Sequence, residues 1–201
     1  MIYFTSDTHF LQRPVWNRRA FSSIEEHDDH YFEMYSKTKK KDIIFHLGDF
    51  IFEHKDPIEV QKYIEKFKKI PARIKLIPGN HDSKLLYNQN VIEMMPPLVN
   101  YKGNWLSHCA IHPGEFRGRF LNVHGHNHIN HLKDQRYFNV CIDMWDRFVT
   151  YDEIMERKEK FGPAETDYEL HYKPTVEESF QTVSKRLKVF NDYPLEYLKS
   201  K

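Results

Sequence analysis

Three short apolar segments in the first half of the chain each run directly into a turn that carries side chains able to bind metal ions. The segments are residues 1–6, 42–47 and 72–77, and their turns contain Asp7 and His9, then Asp49, then Asn80 and His81. Sequences of helical periodicity separate the segments, and such alternation favours parallel strands joined by right-handed crossovers. The pattern predicts an α/β fold whose strand ends meet at one edge of a sheet, where such proteins build their sites.

The helices between these strands are predicted from their first residues. Ser23 opens a capping box, and Asp56 followed by Pro57 is a typical helix start. His27 and His30 fall in the first helix, and we expect them on its surface rather than among metal ligands.

The second half of the chain has a different pattern. Short apolar runs follow one another without long helices between them, at residues 91–95, 99–101, 105–111, 120–124 and 137–145. This pattern predicts a second, mostly antiparallel sheet. Two sheets packed face to face, with helices outside, would bring loops from both sheets to one rim.

The segment Leu121–His128 carries three histidines spaced two residues apart. Alternate residues on an extended segment point the same way, so His126 and His128 are expected to face one point. The glycine between the first two histidines allows a close approach of the backbone. The same spacing argument applies to Asp7 and His9. The alternative is that the three histidines are unrelated and lie in a polar loop.

The side chains predicted at the strand ends form one set of oxygen and nitrogen ligands. They are Asp7, His9, Asp49, Asn80, His108, His126 and His128. The set contains no cysteine and suits Mn²⁺, Fe or Zn²⁺. It is large enough for two ions if one carboxylate bridges them, and ions about 3.5–4 Å apart are suited to hydrolysis at phosphorus.

The composition limits the remaining classes of protein. The formal net charge is +1, which argues neither for nor against a nucleic-acid partner. There is no long apolar run and no recognisable signal peptide, so a cytoplasmic protein without a membrane span is expected. Cys109 and Cys141 are then expected to be reduced thiols in the core.

Five separated motifs resemble those of the calcineurin-like metallophosphoesterases in order, residue type and spacing. They are Asp7-Thr8-His9, Gly48-Asp49, Gly79-Asn80-His81-Asp82, His108 and Gly125-His126-Asn127-His128. The resemblance covers about residues 1–155 and is greatest to the small bacterial and phage phosphoesterases, in which residues 4–10, 46–50 and 138–143 have close counterparts. The chain departs from that pattern after Phe10, where Leu11-Gln12 replaces the usual Gly-His.

The resemblance implies a four-layer αββα sandwich of two facing mixed sheets with a dinuclear metal centre. Asp7, His9, Asp49 and His128 would hold the first metal, and Asp49, Asn80, His108 and His126 would hold the second. The two divalent transition metals are expected to be Mn²⁺, with Fe, Zn or Ni as alternatives. A bridging water would attack phosphorus in line, His81 would act as acid or charge stabiliser, and Asp82 would orient His81.

Several other polar residues lie near the motifs. Arg117 and Arg119 either bind substrate phosphate or belong to a solvated turn. For His124 we favour packing, or a contact behind the ligands, over a contact with substrate. His46 is expected to be structural.

The favoured function is that of a metal-dependent phosphodiesterase. Its substrate is expected to be a phosphoester, and nucleotides and nucleic acids are candidates. Among enzymes, the alternatives are a nuclease and a phosphomonoesterase. The non-enzymatic alternative is a binding scaffold without activity, and the intact motif positions argue against it.

The tail is expected to form a separate unit. Gly162-Pro163 predicts a boundary between a catalytic domain at residues 1–161 and an extension at residues 162–201. An amphipathic helix is predicted in the extension from the spacing of Val176, Phe180, Val183, Leu187 and Phe190. That helix would either pack on the catalytic domain of a monomer, which we favour, or pair two subunits.

Overall fold

The structure is a computed structural model that describes residues 1–12, 18–88, 90–130 and 132–161. These residues fall within one compact unit, Met1–Ala164. The predicted tail helix at residues 176–190 and its docking lie outside the described residues, as do residues 13–17, which follow the point where the chain departs from its relatives. None of the helices described is long and apolar enough to cross a membrane.

Nine strands and four α-helices make up the described part of the chain. The strands are β1 (Ile2–Thr5), β2 (Ile43–His46), β3 (Arg73–Leu76), β4 (Glu93–Met94), β5 (Leu98–Tyr101), β6 (Asn104–Ser107), β7 (Asn122–His124), β8 (Tyr137–Asn139) and β9 (Val149–Thr150). The helices are α1 (Ile24–Ser36), α2 (Pro57–Phe67), α3 (Ile142–Trp145) and α4 (Tyr151–Phe161). Short 3₁₀ helices occupy Lys84–Asn88 and Pro113–Glu115.

The first sheet has the strand order β4-β3-β2-β1-β9. Strands β1 to β4 pair in parallel, and β9 pairs with β1 in the antiparallel sense. Helices α1 and α2 make the connections from β1 to β2 and from β2 to β3. The predicted parallel arrangement is confirmed, and the carboxyl ends of β1, β2 and β3 lie at the same edge.

The second sheet has the strand order β5-β6-β7-β8. The prediction that its strands are mostly antiparallel is wrong. Only β5 and β6 are antiparallel, whereas β6, β7 and β8 run parallel to one another. The connections at residues 108–121 and 125–136 are long enough to carry the chain back to the edge of the sheet at which the parallel strands begin. The apolar run at 91–95 also belongs elsewhere, since it forms β4 of the first sheet.

Two apolar cores hold these layers together. One lies between the first sheet and helices α1 and α2, with buried Tyr35, Ile44, Phe50, Ile64, Phe67 and Leu76. The other lies between the two sheets, with Phe4, Phe45, Leu106, Val123 and Phe138. Each fully buried side chain of this size contributes about 1.5–3 kcal/mol of transfer free energy. The predicted α/β sandwich of two facing mixed sheets is thus confirmed.

The helices begin at the predicted caps, but the predicted exposure of His27 is wrong. The Ser23 hydroxyl accepts a hydrogen bond from the backbone N–H of Glu26 at 3.1 Å, and Asp56 caps α2. His27, expected at the surface, is fully buried, and its Nδ1 lies 2.6 Å from Asp28 Oδ1. A carboxylate neighbour makes burial of an imidazole tolerable, and the helical pattern alone does not reveal such a partner.

The two cysteines are free thiols, as expected, but only one is in the core. Cys141 is buried, whereas Cys109 is exposed. Cys109 follows the last residues of β6, where the chain leaves the sheet, so its side chain is not covered by the second core.

Candidate metal centre

The turns that follow β1 and β2 are joined to each other by backbone hydrogen bonds. Asp7 donates its N–H to the carbonyl of Gly48 at 2.9 Å, and His9 donates its N–H to the carbonyl of Asp49 at 2.9 Å. The parallel pairing of the two strands therefore continues into the turns. As a result, backbone hydrogen bonds hold the first two motifs side by side.

Five ligand-type residues, in the turns after β1, β2 and β7, adopt a backbone conformation that is rare for residues with a side chain. Their φ angles are positive: Asp7 59°, His9 53°, Asp49 54°, His126 66° and His128 48°. The extended geometry used to predict that Asp7 and His9, or His126 and His128, share a face is therefore wrong. Left-handed residues turn the chain at these five ligands, and each costs about 1–2 kcal/mol. Strain of this kind concentrates at functional sites.

Two glycines allow the backbone to come close to the acidic residues. A Cβ atom on Gly125 would lie 2.3 Å from Ser6 Oγ and 2.4 Å from Asp7 Oδ2. A Cβ atom on Gly79 would lie 2.2 Å from Asp49 Oδ1. The close approach predicted at Gly125 is confirmed, and it lets the N–H of His126 reach Asp7 Oδ2 at 2.9 Å.

One part of the ligand cluster combines Asp7, His9 and His128. Their ligand atoms lie within 4.8 Å of one another. The Nε2 atom of His9 is 3.8 Å from Asp7 Oδ1, and the rings of His9 and His128 stack with centroids 5.3 Å apart. These three side chains can hold one metal ion.

The other part of the cluster is built around His108. Its Nε2 lies 3.0 Å from Asn80 Oδ1, 3.2 Å from His126 Nδ1 and 3.4 Å from Asp49 Oδ2. The opposite nitrogen, Nδ1, lies 2.8 Å from the carbonyl oxygen of Leu47, which fixes the ring. The structure therefore brings together all seven side chains that the sequence analysis selected.

Buried polar atoms without protein partners show that this cluster fits metal ions. Asp7 Oδ1 and both ring nitrogens of His9 are buried and have no hydrogen-bond partner. Such atoms are costly unless something binds them. Carboxylate oxygen, amide oxygen and imidazole nitrogen are the donors that divalent transition metals take, so the residues present fit such ions.

The electrostatics of the cluster point the same way. Burial alone would raise the pKa of Asp49, but its hydrogen bond and charge interaction with His108 lower that pKa below its usual range. Burial would also lower the pKa of His108, yet Asp49 and Asp7 raise it to about 9. Burial lowers the pKa of His9 to about 3, so this imidazole is neutral at pH 7, as a metal ligand must be. Burial raises the pKa of Asp7, and positive charge placed beside this carboxylate would stabilise its ionised form.

His81 lies at the open side of the cluster. The side chain is exposed, and its ring centroid is 5.7 Å from that of His9 and 5.7 Å from that of Phe52. The backbone N–H of His81 donates to Asp49 Oδ1 at 2.8 Å. An imidazole in this position faces solvent and incoming ligands.

Asp82 is placed differently from the expectation that it orients His81. Its carboxylate accepts hydrogen bonds from four backbone N–H groups, those of Asp49, Phe50, Ile51 and Gly79. Within the described residues no hydrogen bond joins it to the His81 imidazole. Burial raises the pKa of Asp82 to about 6, and the N–H donors oppose that rise, so the group is ionised at neutral pH. Asp82 acts on the turn that carries Asp49.

The three residues considered for substrate contact are not part of the cluster. His124 is 1% exposed and its Nδ1 lies 2.8 Å from the carbonyl oxygen of Gly125, which supports a packing role. Arg117 is exposed and pairs with Glu115 at 2.8 Å. The guanidinium of Arg119 lies over the Trp105 ring, 5.3 Å from its centroid. His46 is buried against Thr8, as expected of a structural residue.

Two residues that contact the cluster were not selected from the sequence. Asp143 Oδ2 lies 2.9 Å from His128 Nδ1, and Arg19 binds the same carboxylate. In the sequence, Asp143 stands out only as the last residue of the segment 138–143. The separation of Arg19 and Asp143 by 124 positions gave no local signal.

Two facing mixed sheets, with carboxylates, an amide and imidazoles gathered at their shared rim, define a metal-dependent phosphoester hydrolase. The chain matches the family model of the calcineurin-like phosphoesterases over residues 1–198 and belongs to that family. The match extends past the residues over which the separate motifs are found.

Two of the similar proteins have no assigned activity. The uncharacterised protein MJ1445 of Methanocaldococcus jannaschii is 30% identical over 146 residues, which cover 69% of this chain and 75% of that protein. The crystal structure of AQ665 from Aquifex aeolicus, a protein of unknown function, aligns with a TM-score of 0.59 at 26% identity. That alignment covers 78% of this chain and 98% of the other. Nuclease MPE from Pseudomonas putida aligns over 63% of this chain and 61% of its own, with a TM-score of 0.40 at 18% identity, which is too weak to bear on function.

Proposed function

We propose that this protein is a phosphodiesterase with a dinuclear metal centre, for which Mn²⁺ is the first metal to test. The observation that carries the proposal is the position of Asp49. Its Oδ2 atom lies 3.6 Å from His9 Nε2 and 3.4 Å from His108 Nε2, and so reaches both parts of the cluster. One carboxylate between two sets of ligands is the arrangement that a bridging ligand requires.

The ligands divide between two ions around this carboxylate. Asp7, His9 and His128 would join Asp49 at the first ion, and Asn80, His108 and His126 would join it at the second. Bound at these residues, the ions would supply an activated water nucleophile and positive charge for the phosphoryl oxygens.

The protein groups around the ions have separate tasks. The exposed imidazole of His81 is placed to donate a proton to the leaving oxygen or to stabilise charge on the phosphate. The Asp82 carboxylate keeps the turn at Asp49 in its left-handed conformation through backbone hydrogen bonds. The water nucleophile and the leaving group would thus be served by different side chains.

Among the residues that the structure describes, the engagement of Arg19 and Arg117 by other partners favours a diester over a monoester. A monoester dianion carries more negative charge and needs more positive groups around its terminal oxygens. Arg19 is already bound to Asp143 and to two carbonyls, and Arg117 is paired with Glu115. A diester with a single negative charge needs no further cation than the two metals and His81.

The test compares bis(p-nitrophenyl) phosphate with p-nitrophenyl phosphate on the Mn²⁺-loaded protein at neutral to mildly alkaline pH. We expect a higher kcat/KM on the diester. A clearly higher value on the monoester would refute the choice of substrate class. Turnover of either substrate without added or bound metal would refute the metal centre.

A further inference from the structure

Asp143 lies in the first turn of α3 and contacts the back of the metal cluster. Its Oδ2 atom is 2.9 Å from His128 Nδ1, so His128 keeps Nε2 for the cluster. The same oxygen accepts a contact from the thiol of Cys141 at 3.1 Å. The carboxylate is largely buried, with a side-chain exposure of 14%.

Arg19 binds Asp143 through two nitrogens on one edge of its guanidinium. Its Nε lies 2.9 Å from Asp143 Oδ1, and its Nη2 lies 2.7 Å from Asp143 Oδ2. This fork-to-fork geometry is the strongest form of ion pair available to arginine. Burial alone would raise the pKa of Asp143, but the hydrogen bonds from His128 and Arg19 lower it below its usual range.

The other N–H groups of Arg19 reach the turn after β1. Nη2 donates to the carbonyl of Asp7 at 2.5 Å, and Nη1 donates to the carbonyl of Thr8 at 3.0 Å. Nη1 also lies 2.9 Å from His27 Nε2, whose opposite nitrogen contacts Asp28. The Arg19 side chain is 6% exposed, and its guanidinium is occupied by these partners.

A metal site at Asp143 itself is excluded by this arrangement. His128, Cys141 and Asp143 have ligand atoms within 4.8 Å of one another, which would suit an ion. The guanidinium of Arg19 already supplies the positive charge at that place. Asp143 therefore serves the cluster through His128 and not as a ligand.

We propose that Arg19 and Asp143 form a positioning pair for the first metal site, the one assigned to Asp7, His9 and His128. Asp143 fixes the ring of His128, and Arg19 fixes both Asp143 and the carbonyls of Asp7 and Thr8. One guanidinium thus links the two chain segments that supply this site, while neither residue contacts Asn80, His108 or His126. Carboxylates behind metal-binding histidines act in this way in many metalloproteins. The inference rests on the proposed dinuclear function.

The test measures metal binding directly, by titrating Mn²⁺ into the metal-free full chain and following free Mn²⁺ by EPR. For Asp143→Asn we expect one of the two ions to bind about 10- to 100-fold more weakly, and the other ion to bind as in the wild type. Arg19→Lys keeps the charge but loses the fork, so it should weaken the same ion. Should Asp143→Asn fail to fold, Arg19→Lys carries the test.

A matched control breaks a similar pair elsewhere. Arg147 and Glu153 also form a two-pronged ion pair, with Nη2 2.6 Å from Oε1 and Nη1 3.1 Å from Oε2. Glu153→Gln should leave both Mn²⁺ affinities unchanged. Equal weakening of both ions by Asp143→Asn, or no weakening by either pair variant, would overturn the positioning role.

A double-mutant cycle with His128→Ala shows whether Asp143 acts through His128. If it does, Asp143→Asn has no further effect on Mn²⁺ affinity once His128 is absent. An additive loss would overturn the proposed route. A wild-type chain that binds a single ion would refute the dinuclear function, whereas the cycle would still decide the role of Asp143.

Discussion

The Asp82 carboxylate lies 3.0 Å from the backbone nitrogen of Asp49 and holds the turn on which that residue sits. The neighbouring N–H groups of Phe50 and Gly79 bind the same carboxylate at 2.7 Å each. His81 and Asp82 are adjacent in sequence but face different partners. His81 faces solvent beside the cluster, whereas Asp82 binds the backbone of the turn that carries the ligand Asp49.

Asp82→Asn should therefore damage the metal centre rather than a proton transfer. The amide nitrogen of the variant would face backbone N–H donors and leave at least one of them without an acceptor. A buried donor without a partner costs about 1–3 kcal/mol. We expect lower urea stability and loss of bound Mn²⁺ by elemental analysis. Full metal content with a selective loss of kcat would show instead that Asp82 acts through His81.

His81→Gln should separate chemistry from metal binding. Removal of a positioned acid lowers kcat by about 10²-fold or more. The metal content should stay close to two ions per chain under the proposed function, because the His81 side chain lies outside both ligand sets. Steady-state kinetics and metal analysis on the same sample check this. Parallel loss of metal and activity would make His81 a ligand.

Asp49→Asn should weaken both metal ions and abolish turnover. The change removes the one negative charge that both parts of the cluster contact. Two equally weakened Mn²⁺ sites in the EPR titration are the expected result. Retention of two ions and a normal rate would contradict the bridging assignment.

Gly125→Ala should disturb the site by a steric clash. The added Cβ would lie 2.3 Å from Ser6 Oγ and 2.4 Å from Asp7 Oδ2. Overpacking of this kind costs about 1–3 kcal/mol, and displacement of Asp7 should also weaken Mn²⁺ binding. Gly118→Asn is the control, because no atom lies within 4 Å of the position its Cβ would occupy. Equal metal affinities in both variants would contradict the steric argument.

His46 should contribute to acid sensitivity of the metal-free protein. Burial holds the pKa of His46 well below its usual range. The unfolded chain binds a proton at His46 below about pH 6.5 whereas the folded chain does not, so folding stability is full above that pH and falls as the pH drops. His46→Gln should reduce this slope by up to about 1.4 kcal/mol per pH unit. Urea unfolding at pH 7 and pH 5 measures it, and the same slope in His46→Gln as in the wild type would contradict the role of His46.

The sequence was sufficient to predict β1, β2 and β3 because these strands are joined by helices with clear caps and end in recognisable turns, but it did not place β4 and β9 in the first sheet. It predicted the gathering of Asp7, Asp49 and His126 correctly, but for the wrong backbone reason. Spacing of two residues suggested extended chain, whereas left-handed residues bring these ligands together. The direction of β7 and β8 depends on long connections whose course has no periodic signature.

Partnerships between distant residues were the least predictable part. The burial of His27 follows from Asp28 and Arg19, and the role of Arg19 follows from Asp143, which is 124 positions away. None of these residues carries a pattern of its own. A buried ion pair of this kind becomes visible only when the chain is folded.

The contact between Asp7 and the backbone of His126 spans 119 positions, and that between Arg19 and Asp143 spans 124. During synthesis, the first ligands therefore leave the ribosome long before the residues that complete their site. A nascent chain that ends before His126 lacks two of the seven ligands, and one that ends before Asp143 has no partner for Arg19. Tight metal uptake is thereby delayed until both sheets have been made, which makes it a marker of completed folding rather than an early guide to it.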